Sequence, residues 1–171
     1  IEEDVDRIWP VLQKALQKAL RELLRMRSRE GKALQQDLET RVGDLAGIVD
    51  EIRSEAPKVT RRYRANLRER LSQAGVDLPV NDDRLLREIV LFADRSDIAE
   101  ELTRLDSHMK QARRLMRSRD ATGKSLDFLA QEMFREINTI GSKANDSAIV
   151  RRVVNFKAEL ERFREQVQNI E

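Results

Sequence analysis

From Leu12 to Ile52 the apolar residues return in steps of three and four: Leu12, Leu16, Ala19, Leu23 and Met26, then Leu34, Leu38, Val42, Leu45, Val49 and Ile52. That spacing puts one stripe along an α-helix and predicts a single long helix, or two coaxial ones, over residues 2–55. Gly31 lies between the two runs, where a helix costs roughly 1 kcal/mol more than with Ala, so it is a candidate for a kink or a break. Ala56-Pro57 predicts a boundary or a sharp kink, with a second helix over 57–73. Residues 74–83, AGVDLPVNDD, have turn residues without a period and read as a loop, with Asp82 or Asp83 as the next cap. One helix is then expected to Arg117, burying Leu85, Ile89, Phe92, Ile98, Leu102, Leu105, Met109 and Ala112. A loop over 117–124 precedes Ser125, the expected cap of a helix over 126–140. After GSKAND a last helix over 147–170 buries Ile149, Val153, Phe156, Leu160, Phe163 and Val167.

Every segment therefore reads as helix, and the fold class is all-α: long antiparallel helices in a bundle or coiled-coil-like assembly. Composition agrees, with 37% charged and 40% hydrophobic residues but only 4% aromatic ones. A helix of about 50 residues would reach ~75 Å at 1.5 Å per residue, too long for a small domain to cover, so an oligomer is expected. Two segments are anticipated: 1–74, for assembly and a basic guiding helix, and 82–171, for a site. The absence of cysteine removes disulfides, thiolate nucleophiles and thiolate-bound zinc. No apolar run approaches the ~20 residues of a membrane span, so no membrane partner is expected.

Charge adds a direction. The net charge is +2, yet KVTRRYRANLRERL, Lys58 to Leu71, holds six basic residues against Glu69. Arg61, Arg62, Arg64 and Arg68 are candidates for sequence-independent phosphate contacts, the competing reading being a solvated face that pairs with acidic helices. On the helix LDFLAQEMFREINTI, Glu132 and Glu136 are four apart with Asp127 and Gln131 beside them and Arg135 close by. Such carboxylates suit a hard divalent cation, Mn²⁺ or Mg²⁺, that activates water for phosphodiester hydrolysis; they equally suit a solvent-facing row. His108, the single histidine, aligns with Glu101 and Arg104 and is a candidate metal ligand or general base, or else a packed residue. The tail KAELERFREQVQNIE concentrates acids and amides near the end of the chain.

The blocks MRSREGKALQQDL, APKVTRRYRANLRERL, ADRSDIAEELTRLDSHMKQ, GKSLDFLAQEMFREINTIGSKAND and KAELERFREQVQNIE together resemble the C-terminal portion of the YicC/YloC family of bacterial endoribonucleases. The resemblance covers nearly the whole chain, with Lys124-Ser125 a departure that costs one positive charge. It implies a cytoplasmic, divalent-metal-dependent ribonuclease that assembles as a homohexamer and takes RNA, including small regulatory RNA, as substrate. It also implies a further N-terminal domain, expected to be absent from this chain. The family's polar signature, carried over by position, includes His108, Asp127, Glu132, Arg135 and Glu136, and from their chemistry these are the catalytic candidates. The metal candidates are His108, Asp127, Glu132, Glu136 and Glu165. RNA contacts are expected at Lys143, Arg164, Gln166 and Asn169 as well as on the basic helix. The rival reading is a non-catalytic RNA-binding or adaptor protein that self-assembles through its long helices.

Overall fold

A computed structural model describes residues 2–76, 79, 82–118 and 122–170, with side chains from residue 8 onward. The described residues form helices alone: α1 (Glu2–Gln73), α2 (Asp83–Arg95), α3 (Ala99–Met116), α4 (Gly123–Lys143) and α5 (Ser147–Val167). The expected loops over 74–83 and 117–124 fall partly outside the described residues.

Several expected boundaries move. α1 continues through both Gly31 and Pro57. Nothing crowds Gly31, and around Pro57 the stripe Val49, Ile52 and Val59 stays buried, so packing offsets a substitution that costs ~3 kcal/mol in an isolated helix. The helix expected from 83 to 117 is instead two. Ser96 Oγ donates to the carbonyls of Phe92 and Ala93, and Asp97 Oδ1 accepts from Ala99 N–H at 2.9 Å, so one helix is closed and the next is opened within three residues. α4 starts before Ser125, at Gly123, and runs to Lys143, which puts Ser142 and Lys143 on the helix. α5 ends at Val167 rather than Ile170. The caps of α2 and α5 are acids: Asp82 accepts from Arg84 N–H, and Asp146 from Ala148 and Ile149 N–H at 2.9 and 3.2 Å.

Two compact units share the chain, residues 1–37 and residues 38–171. In the first, the apolar stripe is exposed: Trp9, Leu12 and Leu16 keep 58, 54 and 57% of their surface. In the second, the stripe of α1 is buried, with Val42, Leu45, Val49 and Ile52 fully inside. The same core takes Phe92 from α2, Leu105 from α3, Met133 and Ile137 from α4, and Phe156, Leu160 and Phe163 from α5. At Gly141 α4 comes so close to α5 that a Cβ would lie 3.2 Å from Val153 Cγ1. Ion pairs pin α1 to this core: Arg41 to Glu159 at 2.8 Å, Arg53 to Asp106 at 2.7 Å, Arg152 to Glu51 at 2.9 Å.

Candidate functional site

The polar groups of interest lie along α4 and on the helices flanking it. Leu126, Leu129, Met133, Ile137 and Ile140 anchor α4 in the core, and this fixes where its polar side chains emerge. Asp127, half-buried, accepts from Gln131 Nε2 at 2.7 Å and from Arg164 Nε of α5 at 3.2 Å. Glu132, also half-buried, accepts from Arg135 Nη1 at 2.6 Å. Glu136 is buried and accepts from Arg104 Nη1 of α3 at 3.2 Å. Lys143 Nζ donates to Glu101 Oε1 of α3 at 2.6 Å.

Each predicted acid of α4 thus has a cation of its own. His108 is half-buried, and Glu165 is exposed on α5. Among the described residues no three His, Asp or Glu side chains are grouped so as to hold a metal ion. The expected ligands His108, Asp127, Glu132, Glu136 and Glu165 are therefore not a single cage. The acids of α4 could each give a hard cation a single carboxylate; Mg²⁺ is usually held by one or two carboxylates, with water and substrate phosphate supplying further oxygens. Of the expected RNA contacts on α5 and beyond, Arg164 pairs with Asp127, Gln166 is half-buried and Asn169 is exposed, its amide donating to the Glu165 carbonyl at 3.4 Å.

Two residues were given too little weight by the sequence reading. Glu101 is 6% exposed and Arg104 is bonded to Glu136 and, through Nη2, to Glu100 at 2.5 Å. The signal was present: Glu101 follows Ile98 by three and precedes Leu105 by four, a position the period assigns to the core. The two pairs also shape charge. The hydrogen bond with Glu101 lifts the Lys143 ammonium pKa above its ordinary value, and the bond with Glu136 does the same for Arg104, so both stay cationic.

The basic segment of α1 divides. Lys58 and Arg62 are spoken for by Glu55, at 2.8 and 3.0 Å, and Arg62 also reaches Asp146 at 3.0 Å. These two cations hold the Glu55 carboxyl below the usual range, Lys58 most. Arg61, Arg64 and Arg68 form no ion pair among the described residues. Tyr63, in the same segment, stacks on Phe92 at 3.6 Å and donates to Glu88 at 2.9 Å, which makes that side structural.

The described residues are thus helices joined by short connections, with the acids Asp127, Glu132 and Glu136 of α4 each paired to an arginine. The chain belongs to the family described as endoribonuclease YicC-like, C-terminal, whose pattern matches residues 52–171. It is 43% identical over 171 residues to the probable endoribonuclease YicC of Clostridioides difficile, covering 99% of this chain and 58% of that protein. It is 36% identical over 170 residues to the probable endoribonuclease YicC of Haemophilus influenzae, with the same shares. The chain spans 58% of the length of these curated relatives. No helix among the described residues is long and apolar enough to cross a membrane.

Proposed function

We propose that this chain is the helical part of a bacterial, cytoplasmic endoribonuclease that hydrolyses RNA phosphodiester bonds, small regulatory RNA among them. The observation that supports it most is the row of charged groups along α4, with Asp127 meeting Arg164 of α5, Glu132 meeting Arg135, and Lys143 meeting Glu101 of α3, in a chain whose relatives bear the name probable endoribonuclease. Asp127 and Glu132, the two half-buried acids, are the donors for a hydrated Mn²⁺ or Mg²⁺; when bound, such an ion polarises a phosphate oxygen and lowers the pKa of a bound water. Arg135 and Arg164 then offset the negative charge that grows on the phosphoryl group, which is where fixed cations contribute most. His108, half-buried on α3, is the candidate general acid or base. Arg61, Arg64 and Arg68 guide the strand by charge.

Self-association belongs to the same proposal. The exposed stripe Trp9, Leu12, Leu16, Leu23 and Met26 repeats in steps of three, four and seven, the pattern that packs against further helices, and supports assembly of several copies, a hexamer by the family resemblance.

Labelled RNA incubated with the purified protein, with and without a chelator, tests the reading. Cleavage that stops on chelation is the expected result. Retarded but intact RNA in both arms gives the case to the adaptor reading, which the existing pairing of every α4 acid with a cation would then explain.

A further inference from the structure

Two acids occupy positions that the helical period assigns to apolar residues. Glu101 lies between Ile98 and Leu105 on α3, and Glu136 follows Met133 by three and precedes Ile140 by four on α4. Their exposures are 6 and 7%, and a carboxylate held this far from water is costly unless paired. The partners come crosswise: Lys143 of α4 meets Glu101, and Arg104 of α3 meets Glu136. The cations are not buried with them. The side chains of Lys143 and Arg104 keep 38 and 56% of their exposure, so in each pair the anion is inside and the cation stands at the surface.

That asymmetry is poorly suited to stability alone, since an ion pair in a helix seam is commonly replaced by apolar residues without loss. It is well suited to aiming a cation outward. Arg104 is held at two corners of its fork, by Glu136 and by Glu100, one from each helix, which leaves its remaining N–H groups toward solvent. Glu101 is bonded through Oε1 to Lys143, while its buried Oε2 has no hydrogen-bond partner, so the lysine ammonium is what compensates this carboxylate.

We propose that Arg104 and Lys143 are phosphate contacts for the RNA strand, and that Glu136 and Glu101 are positioning residues whose burial fixes the two cations at the α3–α4 seam. The choice of RNA as the ligand rests on the nuclease reading. The placement of the cations rests on the ion pairs.

The test is the salt dependence of binding of a labelled single-stranded RNA to the full chain in chelator, followed by cleavage with Mn²⁺ restored. Arg104→Met and Lys143→Met should each lower the slope of log K against log salt by about 1, whereas Arg25→Met, in the exposed pair with Glu22, should not. Glu101→Gln and Glu136→Gln keep both cations and remove a competing anion. They should keep the slope and bind at least as tightly, yet cut roughly tenfold or more slowly because the cation is no longer aimed. A merely structural role would weaken binding and cleavage together in step with the folded fraction. Arg104→Lys, a change at a side chain that is 56% exposed, should keep the slope but lose cleavage, because an ammonium cannot span Glu136 and Glu100 as the fork does. Unchanged slopes in Arg104→Met and Lys143→Met overturn the proposal. Wild-type protein that binds with salt dependence but never cuts sinks the nuclease reading and leaves the slopes to decide this one; absence of any RNA binding sinks both.

Discussion

Leu105→Ala separates packing from chemistry, because Leu105 and its neighbour Arg104 do opposite things on adjacent positions of α3. Leu105 is fully buried between Leu102 and Met109, whereas the Arg104 side chain is 56% exposed. Truncation removes about three buried carbon groups at ~0.8 kcal/mol each, or ~2.4 kcal/mol. Incomplete collapse of the vacated space raises the loss to ~3–4 kcal/mol. For a protein of this size that lowers Tm by roughly 6–16 °C. Urea and thermal melts, followed by circular dichroism, give both numbers. RNA binding measured well below the transition should retain the wild-type salt slope, while Arg104→Met, which leaves the buried Glu136 carboxylate without its partner, should lower Tm and also lose slope. A Leu105→Ala loss below ~1 kcal/mol would show that α3 is not packed on the core as described, and the seam argument would lose its footing.

Three further outcomes follow from the same contacts. Asp146→Ala removes the α5 cap and the Arg62 contact and should cost ~1 kcal/mol, visible as a Tm lower by roughly 2–4 °C. The single tyrosine, Tyr63, should titrate above the ordinary phenol value of about 10 because its hydroxyl donates to Glu88, and Glu88→Gln should bring it down in an ultraviolet titration. With the folded value raised, the phenol's contribution to stability is intact below about pH 10 and is lost as pH climbs through the folded value. Replacing Arg61, Arg64 and Arg68 together by Gln should weaken RNA binding uniformly across sequences and lower the salt slope by up to about 3, in fluorescence anisotropy at several salt concentrations.

Much of the fold was legible because the apolar period is a direct record of burial: Val42, Leu45, Val49 and Ile52 on α1 and the stripes of α3, α4 and α5 all lie inside. Boundaries were less legible where tertiary packing and side-chain capping outvote local propensity. Pro57 should end a helix and does not, since the seam on either side of it is buried; Ser96 and Asp97 look unremarkable in sequence and close one helix and open another. The candidate site was legible as a set of residue types but not as pairs. Which cation meets Asp127 or Glu136 depends on α5 and α3 lying beside α4, a relation that no spacing within α4 encodes. Glu101 was the residue to weigh more heavily, because a charge on a core position needs a partner somewhere in the fold.

The central claim is that the acids of α4 serve RNA cleavage, and single-turnover kinetics on an end-labelled RNA with Mn²⁺ test it most directly, comparing wild type with Glu132→Gln at matched binding saturation. The account predicts cleavage by wild type and a loss of about 100-fold or more in the variant, with RNA affinity and Tm retained. Equal rates in the two proteins, or no cleavage by either, would contradict it.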